Sequence, residues 1–553
     1  MSEGANQEWD AIVIGSGLGG LSCAAYLCAG GKRTLVLEAH YVAGGNSQVF
    51  RRSIHGREYE FDVGLHYIGE CGPDGLISGI LRGVGLAERV VFRPMDRDGH
   101  STLVFPDFRF KVPAGWNRYR DRILEKFPEE RESLGRVIDI LQEVSAAGRL
   151  LQNRDMDFEE VVEKTPIFMA WGLRPVTDLF KEHNLSIEAS AVLLGEQGDY
   201  AVRPSKTPVA LAAGLHDHYM RGAFYPEGGG QVIAARLIEA IRAYGGEVRT
   251  RAKVKQVRIE NGRVAGVILE KGSESIDAPI VVSNADLKRT VGDLVGEEHF
   301  NPDTVEKIRA YRMAFPLFGV YLGLDIDLAA LGHPNTNYFI WGSYDIEGIY
   351  EKLEAGEMPD ANMAYITTAT LKDPVSRHLA PEGHTNLQIM TLVPREYATW
   401  HVDQGPVTAG NRYHLDKEYR RRKSELVEHL IGLSESVIPG LGKHIDWKES
   451  ATPVTQERFT RSTGGTSYGI ELSIDQIGPL RMSETTEIPG LFLCGASTAS
   501  GHGIGGVMRG GVIAAGLILE TDLLKAVLRG EVFGDRNLLP ELQEDWDAWR
   551  ASQ

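Results

Sequence analysis

Cysteine is scarce in this chain, and its spacing excludes the roles that cysteine clusters usually serve. Only four of the 553 residues are cysteines, and Cys71 and Cys494 stand far apart from the other two. Cys23 and Cys28 fall in one predicted helix at a separation that does not bring their side chains to the same face. The sequence offers neither a disulfide framework nor a CxxC metal site. We therefore expect no metal and interpret the cysteines as small apolar residues of a reducing compartment.

Long hydrophobic runs and an excess of positive charge are missing as well. The longest apolar stretch, residues 503–519, is rich in glycine and interrupted by Arg509, whereas a membrane span needs roughly 20 apolar residues. The formal net charge of −17 disfavours a nucleic-acid partner and simple adhesion to anionic lipid. The polar N-terminus shows no secretory signal. We expect a cytoplasmic protein with at most a peripheral membrane contact.

The beginning of the chain has the pattern of a βαβ unit. Residues 10–14 form a continuous apolar run, which is typical of a strand buried on both faces. After a glycine-rich turn, residues 21–29 read as a helix that Gly30 and Gly31 end, and residues 33–37 read as a second buried strand. Because 553 residues exceed one compact core, we expect this unit to belong to one of at least two domains.

The turn of this unit fits the G-x-G-x-x-G fingerprint of dinucleotide binding. Gly15 permits the tight turn, Gly17 lets the backbone approach a pyrophosphate, and Gly20 lets the helix pack against the strand. Glu38 ends the second strand, where a carboxylate accepts hydrogen bonds from ribose hydroxyls and would repel a 2′-phosphate. The alternative is a glycine-rich turn with an acidic residue nearby by chance. The order of strand, helix and strand favours a dinucleotide.

Motifs far along the chain indicate that this dinucleotide is FAD and not NAD. FAD is long, so its flavin end needs support remote from the adenine end. Residues 44–46 and 61–64 follow the first unit, and residues 490–519 repeat the order of strand, glycine-rich turn and helix. The N-terminus of that last helix would face the flavin, where negative charge builds up on reduction. Residues 228–230 lack a preceding buried strand, so we expect no separate NAD(P) domain.

The rest of the sequence predicts further helices and strands. Three stretches read as helical: residues 118–151, 165–213 and 231–244. Alternating segments between residues 315 and 394 indicate an antiparallel sheet with one face covered. Shorter strands are predicted at residues 247–257, 264–269 and 280–283, with Asn261-Gly262 as the hairpin turn between the first two.

Motif placement, more than composition, predicts how these elements group into domains. The predicted fold class is α/β, with a Rossmann-type FAD-binding domain assembled from three separated chain segments and an α+β substrate-binding domain inserted between them. The expected FAD-binding segments are residues 8–72, 222–290 and 452–530; the substrate-binding domain with its helical lid takes residues 73–221 and 291–451, and a C-terminal acidic tail takes residues 531–553.

Longer segments, spread over nearly the whole chain, carry a family resemblance. They are residues 61–69 (FDVGLHYIG), 198–200 with 204–205, 218–226 (HYMRGAFYP), 373–374, 380–384 and 464–469 (GGTSYG). With them the chain resembles the phytoene desaturase and carotenoid isomerase flavoproteins, and within these most the retinol saturase branch. The turn of residues 495–504 is closer to the carotenoid desaturase form.

The resemblance implies a cofactor, a substrate class and a reaction type. It implies an amine-oxidase-like architecture that binds FAD and acts on carbon–carbon double bonds of a lipophilic polyene or isoprenoid. The reaction would be saturation, desaturation or cis–trans isomerisation by hydride exchange with flavin N5. The substrate would be a lipophilic small molecule, and the electron partner stays open between oxygen, a quinone, NAD(P)H and none.

The resemblance also assigns residues to positions along the FAD. Val254 would pair with the adenine edge through its backbone, the alternative being an ordinary strand residue. Gly495 would lie by the pyrophosphate or ribityl chain. The remaining assignments are Leu18, Gly19, Glu38, Ala39, Gly45 and Asn46 at the adenosine, ribose and pyrophosphate, and Ile504, Gly505, Gly506 and Val507 at the flavin ring.

Candidates for proton transfer and substrate contact come from the same segments. The family places His66 and Tyr67 near the flavin, where either could donate or accept a proton; the alternative is a core histidine and a cavity wall. His502 could reach the flavin or could stabilise its turn. Tyr225 and Tyr468 are candidates for lining the substrate cavity, although most such aromatics are core residues.

Other functions stay open from the sequence. An amine-oxidase-like enzyme would need a polar, charged cavity with an aromatic cage, whereas the segments expected to line the cavity, residues 165–179 and 209–215, are largely apolar. A non-catalytic FAD-binding protein is the other alternative. The basic run of residues 420–423 could contact a membrane, but a solvated helix face is the favoured interpretation.

Overall fold

The computed structural model describes residues 9–152, 158–358 and 363–553. Its strands fall into two large sheets, one three-stranded sheet and two two-stranded sheets. In chain order they are β1 (Ala11–Ile14), β2 (Thr34–Leu37), β3 (Val49–Ile54), β4 (Arg57–Asp62), β5 (Phe92–Pro94), β6 (Ser101–Val104), β7 (Arg109–Val112), β8 (Phe224–Pro226), β9 (Glu247–Arg249), β10 (Val254–Glu260), β11 (Arg263–Leu269), β12 (Ser275–Asp277), β13 (Val281–Ser283), β14 (Leu317–Leu324), β15 (Asn337–Trp341), β16 (Met363–Thr367), β17 (Thr385–Leu392), β18 (Ile445–Ala451) and β19 (Leu491–Leu493).

The α-helices cluster around these sheets, and several in the first half of the chain follow one another with short breaks. In chain order they are α1 (Leu18–Ala29), α2 (Leu76–Gly83), α3 (Trp116–Lys126), α4 (Arg131–Gln152), α5 (Phe158–Lys164), α6 (Pro166–Trp171), α7 (Val176–Glu182), α8 (Ile187–Leu193), α9 (Val209–Met220), α10 (Gln231–Ala243), α11 (Leu287–Arg289), α12 (Pro302–Ala310), α13 (Ile346–Glu354), α14 (Ala369–Lys372), α15 (Pro406–Ala409), α16 (Lys417–Ser434), α17 (Pro453–Thr460), α18 (Gly503–Ile518), α19 (Leu523–Leu528) and α20 (Ala548–Ala551).

The first large sheet is parallel and has the strand order β19-β13-β1-β2-β9. Every neighbouring pair in it is parallel. Its strands come from three separated parts of the chain, which confirms the predicted three-segment assembly of a Rossmann-type domain. The strands β1 and β2 are buried along their whole length, as a central parallel strand covered on both faces must be. Helices α1, α10 and α18 pack together at this sheet.

The second large sheet has the order β18-β14-β17-β16-β15-β6-β7 and is antiparallel except between β15 and β6. We expected only one of its faces to be covered, and this was wrong, because β15, β16 and β17 are buried at every position. Alternate residues face two different cores: Phe339 and Tyr365 face the core that contains α4 and α9, and Ile340 and Ile366 face the core that contains α16. The sheet is therefore a partition between two layers of helices.

Local chemistry splits two elements that the sequence pattern joined. The helical stretch 118–151 is broken into α3 and α4 at Phe127-Pro128, where proline disfavours helical backbone in the residue before it. The strand 247–257 is divided into β9, which extends the parallel sheet, and β10, which starts the three-stranded sheet. The hairpin turn is as predicted, since Asn261 and Gly262 both have positive φ.

The C-terminal segment packs against the domain that contains the parallel sheet. Asp547 pairs with Arg51 through a bond of 2.7 Å from Nη1, and the Arg236 guanidinium lies 3.5 Å from the ring centre of Trp546. The carbonyl of Ser552 accepts a hydrogen bond from the backbone of Ala43 at 2.8 Å. The segment predicted as an acidic tail is thus docked directly beside the turn of residues 44–46.

Candidate functional site

One continuous cavity connects the two large sheets. Its volume is about 600 Å³, and it runs from the carboxyl ends of β1 and β2 to the inner face of the seven-stranded sheet. Glu38 and Val254 line its first end, which we call the dinucleotide end. Asp199 and Tyr365 line its second end, which we call the sheet end. A pocket of this size and shape is typical of a cofactor and substrate site.

Glycines form a cradle at the dinucleotide end because backbone segments meet there with no room for side chains. A Cβ on Gly17 would lie 2.8 Å from Asn284 Nδ2, and one on Gly45 would lie 2.8 Å from the Cα of Gly17. A Cβ on Gly20 would lie only 2.3 Å from the carbonyl oxygen of Gly15. Gly20 therefore serves the packing of α1 against β1, and Gly17 and Gly45 form the open surface of the cradle.

Glu38 is fixed at the end of β2 by three hydrogen bonds. Its Oε2 accepts from the backbone N–H of Ser16 at 2.9 Å and from the Ser16 hydroxyl at 2.6 Å. Its Oε1 accepts from the backbone N–H of His40 at 2.8 Å. Because each carboxylate oxygen has more than one acceptor direction, Glu38 can still accept from ribose hydroxyls while the glycine turn holds it in place.

The C-terminal strand–turn–helix brings a second helix N-terminus to the cavity. Gly495 follows β19, and a Cβ on it would lie 2.6 Å from Asn284 Oδ1. At the start of α18, Ile504 and Val507 line the cavity, since residues three apart share a helix face. The unpaired N–H groups of this turn and the positive end of the helix dipole favour negative charge in the cavity.

His66 lines the cavity but is not suited to be an acid. Burial, together with the nearby Lys372 ammonium, lowers the pKa of His66 to about 3, so the imidazole is neutral near pH 7. Lys372 Nζ donates to the backbone carbonyl of His66 at 2.6 Å and to the hydroxyl of Thr367. The buried lysine holds the backbone of this loop in place from behind the cavity wall.

At the sheet end, two stacked tyrosines hold one carboxyl group. The rings of Tyr67 and Tyr219 are 4.2 Å apart and inclined by 5°. The Tyr67 hydroxyl donates to Asp199 Oδ2 at 2.5 Å, and the Tyr219 hydroxyl donates to the same oxygen at 3.0 Å. Among the described residues, none donates to Oδ1 of Asp199. This oxygen is the polar atom that the arrangement leaves for a ligand in the cavity.

The electrostatic surroundings of Asp199 suit proton transfer near neutral pH. Burial raises the pKa of Asp199 to about 7, and the charge of Glu196 adds to the rise, although the hydrogen bonds from the two tyrosines oppose it. A carboxyl with such a pKa is protonated for part of the time at pH 7 and can donate or accept a proton. The pKa of Tyr67 is raised well above its usual value, first by burial, so Tyr67 acts as a hydrogen-bond donor and not as an acid.

His502 and Tyr468 lie on the wall between the two ends. Their rings are 5.0 Å apart, and the Tyr468 hydroxyl donates to the carbonyl of Gly198 at 3.1 Å. Burial and the Arg481 guanidinium lower the pKa of His502 to about 3. Arg481 is buried and donates to the carbonyl of Ala496 at 2.6 Å. His502 is therefore a neutral group, and the positive charge near it belongs to Arg481, which is buried behind the wall.

Much of the rest of the sheet end is apolar. Leu317, Phe339, Met363 and Met390 come from four neighbouring strands, β14 to β17, and all face the cavity. They fall on one face of the sheet because side chains alternate along each strand. A long apolar ligand can lie against this wall with its polar contacts limited to the Asp199 region.

The structure places the predicted site residues in two groups. Most of them line the cavity: Gly15, Gly17, Leu18, Gly19, Glu38, Ala39, Gly45, Asn46, His66, Tyr67, Val254, Tyr468, Gly495, His502, Ile504 and Val507. Three glycines do not: Gly20 packs on Gly15, Gly506 packs on the carbonyls of Gly501 and Ser500, and Gly505 is near Leu76.

Two expectations about the substrate cavity differ from the structure. Tyr225 does not line the cavity; it is 1% exposed, and its hydroxyl donates to the buried Asp62 carboxylate. Residues 165–179 and 209–215 are likewise absent from the lining. Their buried apolar side chains pack into the helical core around α4 and α9, because amphipathic helices in the same layer cover one another before they reach the cavity.

Sequence reasoning missed Asp199 and Asn284. Asp199 lies in one of the segments that carried the resemblance, and its place in that segment was the one signal that could have indicated it. Asn284 follows the buried strand β13 and lies between Gly17, Gly19 and Gly495. A polar residue directly after a third parallel strand could have indicated it, since the carboxyl ends of parallel strands meet at one edge.

The basic run of residues 420–423 lies on α16 among acidic residues. Arg421 and Arg422 pair with Glu418, and Arg421 also pairs with Glu425, so much of the basic run is neutralised on its own helix. No described helix has the length and apolar character to cross a membrane. Within the described ranges there is no group of three or more acidic, histidine or cysteine side chains arranged to hold a metal ion.

The residues present fit FAD. At Gly17 and Gly45 the cradle is formed by backbone, since a Cβ on either residue would lie 2.8 Å from a neighbouring atom. Glu38 is available for ribose hydroxyls, and the N-termini of α1 and α18 face the cavity. The elongated cavity extends beyond this cradle to Gly64 and Ile504, which leaves space for the flavin end as well as for the adenine end.

Comparison with known proteins agrees with this geometry. The profile of the family described as flavin containing amine oxidoreductase matches residues 18–321. The chain is 28% identical over 542 residues to all-trans-retinol 13,14-reductase from Macaca fascicularis, covering 94% of this chain and 86% of that protein. It is 28% identical over 557 residues to the chloroplastic prolycopene isomerase of Daucus carota, covering 95% of this chain and 83% of that protein.

Solved structures show the same fold. An oxidoreductase from Methanosarcina mazei aligns with a TM-score of 0.60 at 17% identity, over 92% of this chain and 100% of that one. Putrescine oxidase bound to putrescine aligns with a TM-score of 0.61 at 14% identity, over 93% and 99%. The family profile covers more than half of the length of this chain. The chain therefore belongs to the flavin-containing amine oxidoreductase family and is an FAD-dependent oxidoreductase.

Proposed function

We propose that this enzyme acts on a carbon–carbon double bond of a lipophilic polyene, such as a retinoid or a carotenoid-like isoprenoid. The observation that carries the proposal is the sheet end of the cavity, where four apolar side chains from neighbouring strands face a single carboxyl group held by two tyrosines. Relatives named for all-trans-retinol and prolycopene, matched over nearly the whole chain, support the same substrate class.

The chain's own residues supply orientation and proton transfer. When bound, FAD supplies hydride exchange. The wall formed by Leu317, Phe339, Met363 and Met390 holds the apolar chain and excludes water. Tyr67 and Tyr219 orient the carboxyl of Asp199, whose Oδ1 exchanges a proton with a substrate carbon. In saturation Asp199 donates this proton, and in desaturation it accepts one.

An amine substrate fits the site less well. An ammonium group needs a fixed counter-charge, whereas burial raises the pKa of Asp199 to about 7 and leaves it partly neutral. Four apolar side chains form much of the remaining wall of the sheet end. A neutral polyene therefore matches the cavity better than a polar diamine.

The reaction direction and the electron partner are tested together. Purified protein with FAD is prepared anaerobically in oxidised and in reduced form, and each form is mixed with all-trans-retinol, prolycopene or putrescine. We expect a polyene product, identified by chromatography and mass spectrometry, from one of the two forms and none from putrescine. Conversion of the amine, with neither polyene changed, would contradict the proposal. If the product is desaturated, re-oxidation of the flavin by oxygen, a quinone or NAD(P)⁺ then identifies the electron acceptor. If the product is saturated, re-reduction of the flavin by a quinol or NAD(P)H identifies the electron donor.

A peripheral membrane contact is proposed at α6 and the turn that follows it. Met169 is 53% exposed and Leu173 is 60% exposed, and the helix that contains Met169, α6, has no charged residue. An apolar surface of this kind favours the interface of a bilayer. In flotation with phosphatidylcholine vesicles, the wild-type protein should float with the vesicles and the Met169→Glu/Leu173→Glu variant should not. Equal recovery of both proteins with the vesicles would contradict the proposed membrane contact.

A further inference from the structure

A second carboxylate lies behind the pair formed by Tyr67 and Asp199. Glu196 precedes Asp199 by less than one helical turn and is 5% exposed. Its Oε1 is 3.5 Å from the Tyr67 hydroxyl and 3.3 Å from Nε2 of His100. Tyr67 thus stands between two buried carboxyl groups, with its stronger hydrogen bond directed to Asp199.

The surroundings of the two carboxyl groups differ in the partners that they provide. Glu196 has His100 in ion-pair distance, and Ser101 and His216 lie near it. Although its own burial acts in the opposite direction, these partners keep the pKa of Glu196 below its usual value. Among the described residues, only phenol hydroxyls donate to the carboxyl of Asp199, and no histidine of these residues lies within ion-pair distance of it.

Ionisation of both Glu196 and Asp199 is unfavourable, because it would place two like charges close together in a buried site. The one that is ionised first is the one with the better partners, which is Glu196. Its negative charge then opposes ionisation of Asp199. The difference between the two environments assigns separate roles to the two groups, as in other enzymes that use paired carboxyl groups.

We infer that Glu196 is a positioning residue whose ionised carboxylate, held by His100, keeps the proton on Asp199 at neutral pH. This inference rests on the proposed function insofar as Asp199 is the group that exchanges a proton with the substrate. Glu196 itself does not line the cavity and acts through Tyr67 and through its charge.

Other titratable groups around Asp199 do not provide an equivalent charge. Tyr67 and Tyr219 donate to it, and Tyr200, Tyr350, Tyr365 and Tyr468 interact with it electrostatically. All six phenols have pKa values raised above the usual value, primarily by burial. They stay neutral over the pH range in which Asp199 titrates, so the charge that acts on Asp199 is that of Glu196.

The test is an infrared titration of the FAD-bound protein without substrate. The C=O band of protonated Asp199 is the band that disappears in Asp199→Asn, and its loss with rising pH gives the titration midpoint. Glu196→Gln removes the charge, and His100→Asn removes the partner that holds it. We expect both variants to move the midpoint to lower pH by roughly one unit, and we expect Glu60→Gln, which changes a buried carboxyl outside the cavity, not to move it.

The pH dependence of the polyene reaction gives a second readout, which should move in the same direction. Loss of the Glu196 charge lets Asp199 ionise at lower pH, so the inflection in the pH–rate profile should move down together with the infrared midpoint. Unmoved midpoints in both Glu196→Gln and His100→Asn would overturn the inference. Failure of the proposed function would show itself differently, as the absence of any polyene product while the infrared midpoint still shifts.

Discussion

The two ends of the cavity are built in different ways. The dinucleotide end is formed by backbone, with glycines at Gly17 and Gly45 and the carboxylate of Glu38 held by the turn beside it. The sheet end is formed by side chains, with Asp199, Tyr67 and four apolar residues contributed by segments far apart in the chain. A backbone site depends on local conformation and spacing, whereas a side-chain site depends on how distant segments pack.

This contrast explains how far the sequence alone could predict the site. Gly15 to Gly20 and Glu38 could be identified because a dinucleotide turn requires glycine at fixed positions next to a buried strand. Tyr225 was wrongly expected to line the cavity, because the sequence does not show which side of β8 faces it. Asp199 was missed for the same reason: nothing local in residues 198–200 indicates that Tyr67 and Tyr219 converge on its carboxyl.

The two large sheets also differ in how well the sequence predicted them. The parallel sheet was predictable, since β1 and β2 are short apolar runs with diagnostic turns. The seven-stranded sheet was predicted with one face exposed, whereas α16 covers the second face. A strand buried on both faces and one buried on a single face can carry similar residues, and β15 and β16 are buried on both faces.

The largest expected effect is on turnover and comes from a change at the sheet end. Asp199→Asn keeps the size of the side chain but removes the exchangeable carboxyl proton, so we expect turnover of the polyene to fall by about 10²- to 10³-fold. FAD content should stay at the wild-type level, because Asp199 lies at the sheet end. Turnover within about threefold of wild type would show that another group transfers the proton.

The second variant changes the dinucleotide end and should lower the affinity for FAD. Gly17→Val places a branched side chain where a Cβ would already lie 2.8 Å from Asn284 Nδ2, and we expect FAD affinity to fall by at least about 100-fold, or about 2.8 kcal/mol. Flavin absorbance per chain after gel filtration measures it. Gly148→Ala is the control, since a Cβ at Gly148 in α4 has no heavy atom within 4 Å. Equal flavin content in both variants would contradict the assignment of the cradle.

A smaller effect tests the apolar wall. Phe339→Ala removes a buried ring that faces the cavity, and loss of about 1.5–2 kcal/mol of apolar contact should weaken polyene binding by about 10- to 30-fold. The matched control is Ile340→Val, because Ile340 faces the core on the other side of the sheet. Titration of the flavin absorbance with polyene gives both affinities, and equal weakening in the two variants would mean that the effect is one of stability alone.

The smallest expected effect concerns the ribose contact. Glu38→Gln retains one carbonyl acceptor but removes the charge, so we expect FAD affinity to fall by about tenfold, or about 1.4 kcal/mol. Calorimetric titration of the flavin-free protein with FAD measures this loss. Unchanged affinity would mean that Glu38 serves only to hold Ser16 and His40.

The most direct test of the account is the pH dependence of polyene conversion by the wild-type enzyme and by Asp199→Asn. Because the pKa of Asp199 is raised to about 7, the wild-type rate should change slope near that pH. It should decrease above the inflection if Asp199 donates the proton and increase if Asp199 accepts it. Lys372, whose pKa is lowered to about 7 by burial, titrates nearby, but it does not line the cavity, and its titration persists in the variant. The account predicts that the inflection is absent from Asp199→Asn, and an identical inflection in both proteins would contradict it.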